Sequence, residues 1–163
     1  MSKMIRSFNR YELKYIMHER DAAEFRKRLE PFTTFDPHGD ETGSYFLASL
    51  YFDTDDHLFY WEKIEGLKFR RKLRIRIYET PDKITDDSKV FVEIKQRLDR
   101  IIQKRRIALP YKDAHALCYD YKMPSHDEKD EAVLDEILHF LVTYQLKPTC
   151  ITSYRRQALI GHD

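Results

Sequence analysis

Glycine and cysteine are both scarce in this chain of 163 residues, which contains four of the first and two of the second. So few glycines leave no Gly-rich loop of the kind that cradles phosphates in many nucleotide-binding proteins. The cysteines, Cys118 and Cys150, lack the spacing of metal ligands and stand in apolar or aromatic surroundings. We therefore expect two buried free thiols in a reducing compartment.

Long apolar runs are missing as well. The first fifteen residues contain no stretch of signal-peptide type, and no segment approaches the length of a membrane span. The seven histidines show no metal-ligand spacing. These absences predict a soluble, cytoplasmic chain with no membrane segment.

Net charge is close to zero, with 29 basic and 28 acidic residues, but the charges are segregated. Residues 67–76 carry six cations and no acid, whereas residues 126–136 are rich in Asp and Glu. A balanced total argues against a general nucleic-acid binder and favours a local anion site. With 42% hydrophobic and 35% charged residues, the composition predicts one globular domain over residues 1–163.

The segment from Leu67 to Glu79 alternates strictly between apolar and basic residues. Alternation over this length predicts a β-strand with one face in a core. The predicted core face holds Leu67, Phe69, Leu73, Ile75 and Ile77, with Arg71 as the only intruder. The other face carries Lys68, Arg70, Lys72, Arg74 and Arg76, spaced about 7 Å apart along the strand. Such a row indicates either an anion site or a solvated edge strand whose charges prevent aggregation.

Periodicity and turn residues predict further elements on both sides of this strand. We expect strands at residues 5–16, 44–53, 90–96, 101–109 and 148–159, the second of them buried on both faces. We expect helices at residues 18–32, 54–61, 112–121 and 128–145.

Apolar stripes in the first and last of these helices predict core packing, although the stripe on the last helix could also bind a partner. The stripes are Ala22, Phe25, Leu29 and Phe32, and Val133, Leu134, Ile137, Leu138, Leu141 and Tyr144. Thr54 is expected to cap the second helix, with Asp55 and Asp56 in its first turn, and Gly66 to terminate it.

Four of the predicted strands share one design, with an apolar face and a charged face. The charged faces carry Arg10, Glu12 and Lys14, then the basic row, then Glu93 and Lys95, then Lys104 and Arg106. If the strands pair in one curved antiparallel sheet, these faces converge. A cation-lined interior with a few carboxylates suits a polyphosphate or a nucleoside triphosphate, with a divalent metal bridging acid to phosphate.

Five motifs now match one known family in order along nearly the whole chain. The first, Arg10 to Tyr15, has the form R-x-E-x-K-Y. The others are YFDT at 51–54, KLRIRIY at 72–78, VFVEIK at 90–95 and YRRQA at 154–158. Together they resemble the VTC domain, the catalytic module of vacuolar transporter chaperone polyphosphate polymerases and of bacterial relatives. That domain belongs to the triphosphate tunnel metalloenzyme, or CYTH-like, superfamily.

The resemblance implies an α+β fold, an antiparallel β-barrel of the triphosphate tunnel type with helices packed outside. It implies phosphate binding by Lys14, Arg74, Arg76, Lys95, Lys104 and Arg156, with Arg74, Arg76 and Lys95 as the catalytic group. Arg105 or Arg106 could take the role of Lys104. The charged faces add Arg10, Lys72 and Arg106 to the phosphate-binding set. Glu12 and Glu93 are the candidate carboxylates for a Mn or Mg cofactor.

The chain departs from the superfamily pattern at two places. Arg10 stands where the wider superfamily has a first glutamate, a loss shared by VTC-type members. Arg10 at this position therefore favours membership of the VTC type over the triphosphatases and adenylate cyclases of the superfamily. The chain also stops before the last two strands of the family, so we expect the tunnel to be open along one side and the activity of this chain to be reduced or lost. An open edge favours a homodimer.

The resemblance implies transfer of the ATP γ-phosphoryl group to a growing polyphosphate chain, with release of ADP. Two other functions stay open at this point. One is a non-catalytic module that binds polyphosphate or inositol phosphates, and the other is a tunnel triphosphatase. Nucleic-acid binding is disfavoured, because the aromatic residues fall mostly on core faces.

Overall fold

The computed structural model describes residues 13–99 and 101–162. The chain divides into two compact units. The small unit consists of Met1–Tyr45 and Arg155–Asp163, and the large unit of Phe46–Tyr154. The interpretation of the chain as a single domain stays a prediction.

The described residues form four helices and seven strands, with two short 3-10 turns at Glu30–Phe32 and Pro81–Lys83. No helix in these ranges is long and apolar enough to cross a lipid bilayer. The helices are α1 Glu19–Leu29, α2 Leu58–Ile64, α3 Tyr111–Asp120 and α4 Glu128–Thr143. The strands are β1 Thr33–Phe35, β2 Ser44–Asp53, β3 Phe69–Ile77, β4 Lys89–Leu98, β5 Ile101–Pro110, β6 Lys147–Gln157 and β7 Leu159–Gly161.

The larger sheet has five strands in the order β5-β4-β3-β2-β6. Strand β3 pairs antiparallel with β2 and β4, and β4 pairs antiparallel with β5. Strands β1 and β7 form a separate two-stranded antiparallel sheet in the small unit. The predicted α+β class with antiparallel strands is therefore confirmed.

The described strands form no closed barrel, and the sequence-based expectation was a barrel open along one side. A barrel requires the two edge strands of a sheet to pair with each other. Here β5 and β6 lie at opposite ends of the strand order, and the sheet is open. The predicted first strand at 5–16 falls mainly outside the described residues, and its last four residues, 13–16, are irregular.

The core of the large unit lies on one face of strands β3, β4 and β5. Apolar side chains at alternate positions of these strands pack against helices α3 and α4. This confirms the predicted alternation in the middle of the sheet and the core role of the α4 stripe. The buried members include Leu73, Ile75, Val90, Val92, Ile94, Ile107 and Leu109 from the strands, and Ala114, Leu117, Leu134, Ile137 and Leu141 from the helices.

The core is shorter than the apolar pattern predicted. Leu67 and Phe69 were expected on the core face and are exposed, and Ile101 is 63% exposed. The buried cluster includes Leu73 and Ile94 but not the residues beyond them on the same sheet face. No described element packs over that end of the sheet as part of the core. Alternation identifies the face of a strand, whereas burial depends on which part of that face another element covers.

Two further burial predictions are wrong. The stripe on α1 contributes no buried residue, and Phe25 and Phe32 are exposed. Cys150 is exposed in β6, a strand whose residues are almost all exposed. Cys118 is buried as expected, and burial raises the pKa of its thiol to about 12. Both cysteines are free.

The intruding Arg71 on the core face is accounted for by a buried carboxylate. Glu62 of α2 is 3% exposed, and the Arg71 side chain is 11% exposed. Glu62 Oε2 accepts the backbone N–H of Arg71 at 2.8 Å, and Oε1 accepts its Nε–H at 3.1 Å. The guanidinium also lies over the rings of Tyr144 and Phe59, 4.4 and 5.1 Å from their centroids. This ion pair joins α2, β3 and the end of α4.

The end of β2 holds the start of α2 through side-chain acceptors. Asp53 Oδ1 accepts the backbone N–H of Phe59 at 2.8 Å, and its Oδ2 accepts that of Tyr60 at 2.9 Å. Thr54 Oγ1 accepts the backbone N–H of Leu58 at 2.9 Å. These bonds satisfy N–H groups that have no partner within the helix.

The predicted helix at 54–61 starts four residues later than expected, at Leu58, and ends at Ile64. Asp55 and Asp56 lie in the preceding turn and not in the first turn of the helix. Gly66 follows the helix with a φ of +70°, a backbone conformation that favours glycine, which confirms its predicted terminating role.

Candidate anion-binding site

The basic residues of β3, β4 and β5 meet on the sheet face opposite the core, because side chains two apart on a strand share a face. Cross-strand register then aligns them in rows. One row is Tyr51–Arg74–Glu93–Arg106, and a second is Lys72–Lys95–Lys104. Arg76 faces Ser49 on one side and Phe91 on the other. We call the group of Lys72, Arg74, Arg76, Glu93, Lys95, Lys104 and Arg106 the cationic face.

Glu93 is the centre of this face and is 1% exposed. Its Oε2 accepts the Nε–H of Arg74 at 2.8 Å and lies 2.6 Å from the Nη2 atom. Its Oε1 lies 2.7 Å from Lys104 Nζ. The two groups form an ion pair, but their geometry is not that of a hydrogen bond. Arg76 and Arg106 lie farther away, at 3.8 and 3.9 Å. Among the residues that the structure describes, the cationic face thus sets six cations around one carboxylate.

The lysine row carries an unusual arrangement of like charges. Lys72 and Lys95 are directly opposite in register, and so are Lys95 and Lys104. Like charges facing each other across strands destabilise a sheet. Burial lowers the pKa of Lys72, and although Tyr51 opposes the shift, Lys63, Lys95 and Arg74 add to it. The ligand-free row is therefore electrostatically unfavourable, and an anion bound to it would relieve the repulsion.

Tyr51 was missed as a site residue. Its hydroxyl accepts a hydrogen bond from Arg74 Nη1 at 2.9 Å, and its ring lies 5.6 Å from Lys72 Nζ. Together with Lys72, Arg74, Glu93 and Lys95 it lines a small pocket on the cationic face. The sequence contained an indication of this role, because Tyr51 lies between the core residues Leu50 and Phe52 and therefore belongs to the opposite face of the strand.

The charge states of Glu93 and Arg74 depend on the balance between burial and neighbouring charges. Burial is the largest influence on Glu93 and favours its neutral form, but Lys104 and Arg74 outweigh it and lower the pKa of this carboxyl. Burial likewise disfavours the charged form of Arg74, and Glu93 and Tyr51 outweigh it, so the pKa of Arg74 is raised. Both groups are therefore ionised at neutral pH.

Arg105, the predicted alternative to Lys104, lies on the face of β5 opposite the cationic face. Arg105 points to the core side of β5 and pairs with Glu136 of α4 through two of its guanidinium nitrogens. Its Nη2 also donates to Gln96 Oε1 at 2.9 Å. Lys104 and Arg106 both lie on the cationic face, and Arg106 stacks 4.8 Å from the centroid of Phe91.

The remaining predicted phosphate ligands belong to the small unit or lie outside the described residues. Lys14 is exposed in the irregular segment before α1, and Arg156 lies in β6 with its guanidinium 6.0 Å from the ring centroid of Tyr45. Arg10 and Glu12 fall in the range that the structure does not describe. The cationic face is accordingly built from residues of the large unit alone.

The donor set of a divalent metal is not present in the part of the chain that the structure describes. Within residues 13–99 and 101–162, no three His, Cys, Asp or Glu side chains are grouped as metal ligands. Glu93 contributes a carboxylate, but its two oxygens face Arg74 and Lys104. Mn and Mg prefer several oxygen ligands and are repelled by neighbouring cations. The described residues do not fit such an ion, and Glu12 lies outside them.

Three comparisons place this geometry among known proteins. The sequence model of the VTC domain matches residues 9–163. The chain is 28% identical to vacuolar transporter chaperone complex subunit 4 of Trypanosoma brucei brucei, over 93% of this chain and 23% of that protein. A crystal structure from Bacillus halodurans, described as an adenylate cyclase, superposes with a TM-score of 0.50 at 18% identity. The superposition covers 84% of this chain and 59% of that one, and it concerns the fold alone.

Proposed function

The chain belongs to the VTC domain family, and from this premise we propose that its cationic face binds polyphosphate and transfers the ATP γ-phosphoryl group to it, releasing ADP. The observation that carries the proposal is the lysine row beside Arg74 and Glu93. Three lysines stand there in direct cross-strand register, next to a buried carboxylate that engages Arg74. A ligand with many closely spaced negative charges contacts such a row at several points, whereas a single small anion does not.

Phosphoryl transfer depends mainly on alignment and on neutralisation of charge. Arg74 and Arg76 stand on adjacent rows of β3 and are held by Glu93, Tyr51 and Ser49. We assign to them, with Lys95, the neutralisation of charge on the transferred group. Lys72, Lys104 and Arg106 bind the flanking phosphates. The proposal includes Lys14, Arg10 and Arg156 on the strength of the family motifs alone.

The partners in this proposal are ATP, as the phosphoryl donor, and polyphosphate, as acceptor and product. The relative's name supports a place in transporter chaperone machinery, and this chain spans 23% of that relative's length. Among the described strands β5 forms one edge of the larger sheet, and we propose this edge as a surface for a second copy of the chain, since edge strands offer backbone groups for pairing.

A second function is supported by one observation. The described cationic face lacks a metal donor set, and a module that only binds polyphosphate or inositol phosphates needs cations but no metal. Such a module would bind these anions tightly, without metal dependence and without turnover.

The proposed function is tested by incubating the protein with γ-labelled ATP and Mn. We expect labelled polyphosphate and ADP in the wild type, and at least a tenfold lower rate for Arg74→Ala, because a charged hydrogen-bond donor at a transferring group contributes about 1.5–3 kcal/mol. Tight polyphosphate binding without turnover would support the binding module instead. Release of inorganic phosphate from triphosphate, with no chain growth, would support a triphosphatase.

A further inference from the structure

We infer that Glu93 is a positioning residue: an internal counter-anion that holds Arg74 and Lys104 in place for the polyanion, and not a ligand of a divalent metal. The inference rests on the proposed function for its ligand, polyphosphate. It concerns a different question, namely what a nearly fully buried carboxylate does in the middle of an anion-binding surface.

The placement of Glu93 favours contact with cations on both sides. Register puts Arg74 on one side of it and Arg106 on the other, and Lys104 lies two residues from Arg106 on the same face of β5. Four cationic groups, from Arg74, Arg76, Lys104 and Arg106, lie within 4.0 Å of its two oxygens. In the described part of the chain these four cations pair with no other carboxylate.

Long basic side chains need such a partner to keep a fixed position. Arg and Lys side chains lose much rotamer freedom when they are held in one position, and like charges on neighbouring strands push them apart. Arg74 is fixed at three points, since Glu93 binds its Nε and Nη2 atoms and Tyr51 accepts from Nη1. A site prearranged in this way binds its ligand without first ordering its side chains.

The same contacts make Glu93 a poor metal ligand. A divalent ion at either oxygen would stand close to Arg74 or Lys104, and no second described carboxylate is available to offset the repulsion. The lowered pKa of Glu93 supports a carboxylate that is ionised without a metal.

The role of Glu93 can be tested by asking whether Glu93→Gln raises or lowers the affinity for a polyanion. Glu93→Gln removes a negative charge, so simple electrostatics predicts tighter binding of a polyanion. If Glu93 positions the cations, the same change weakens binding. We expect about a tenfold or greater loss of affinity for inorganic polyphosphate, measured by calorimetry with a chelator present. Equal or tighter binding by a folded Glu93→Gln protein would overturn the inference.

Glu136→Gln is the matched control. It removes the same charge and also breaks an ion pair of β5, but that pair involves Arg105 on the opposite face of the sheet. We expect its polyphosphate affinity to equal or slightly exceed that of the wild type. A loss as large as that of Glu93→Gln would show that the effect is general destabilisation and would overturn the positioning role.

Two readouts on the wild type do not depend on polyphosphate binding or on the folding of the variant. The Nε–H signal of Arg74 is expected to be protected from solvent exchange, because Glu93 accepts it. Titration with Mn alone is expected to leave the methyl signals of Val92 and Ile94, the neighbours of Glu93, without selective broadening. Rapid exchange at Arg74 or selective broadening by Mn would contradict the inference, whereas failure of polyphosphate to bind the wild type would contradict the proposed function.

Discussion

Replacing Lys72 and Lys95 together with methionine is expected to weaken polyphosphate binding by about 100-fold while making the ligand-free protein more stable. The two effects have opposite signs because the same charges serve the ligand and repel each other. Each lost charge-assisted contact costs about 1.5–3 kcal/mol of binding free energy. Removing the directly opposed pair relieves a cross-strand repulsion of roughly 0.2–1 kcal/mol.

Calorimetry with inorganic polyphosphate and urea unfolding of the ligand-free protein measure the two quantities. Lys112→Met/Lys129→Met is the matched control, since both lysines are exposed on helices and pair with exposed aspartates. We expect little change in either quantity for this control. A double variant at 72 and 95 that binds normally, or one that binds weakly because it is less stable, would contradict the lysine row as an anion site.

Replacing Glu62 with alanine is expected to lower the free energy of unfolding by about 3–5 kcal/mol. The change leaves the guanidinium of Arg71 in a mostly buried position without its bidentate carboxylate partner. Because Arg71 lies on the core face of β3 and Arg74 on the opposite face, polyphosphate affinity of the folded variant is expected to stay within about twofold of the wild type.

Urea unfolding again provides the measurement, and Glu62→Leu/Arg71→Met provides the control. Removing both partners takes away the buried charges together, so the double variant is expected to be clearly more stable than Glu62→Ala. A loss of less than about 1 kcal/mol in Glu62→Ala would show that the ion pair contributes no more than an exposed pair does.

The middle of the sheet could be predicted because its residues follow a period of two. Leu73 and Ile75 are buried, Arg74 and Arg76 lie on the other face, and β3 begins and ends two residues inside the predicted segment. The core role of α4 could also be predicted from periodicity, because its apolar residues recur at helical spacing.

Relations between strands could not be predicted in the same way. Nothing in the spacing of a single strand shows that Glu93 lies between Arg74 and Arg106, because that depends on the register of two hairpins. The exposure of Ile101 likewise depends on which elements cover a strand.

Two assignments failed for local reasons. Arg71 was treated as an isolated exception, because its partner Glu62 lies on a separate helix. The capping role of Asp53 was missed, although an acid directly before Thr54 and ahead of a helical segment is a recognisable start signal. In both cases a charged side chain within or directly after an apolar strand pattern indicated a specific partner.

Calorimetric titration of the wild type beside Arg74→Ala/Arg76→Ala tests most directly whether the cationic face binds polyphosphate. Arg20→Ala/Arg28→Ala is the control, since it removes two exposed arginines from α1. We expect tight binding by the wild type and the control, and at least a 100-fold loss in the variant at 74 and 76, provided that circular dichroism shows it folded. Equal binding by all three proteins would mean that the cationic face is only a solvated surface, and the account would be wrong.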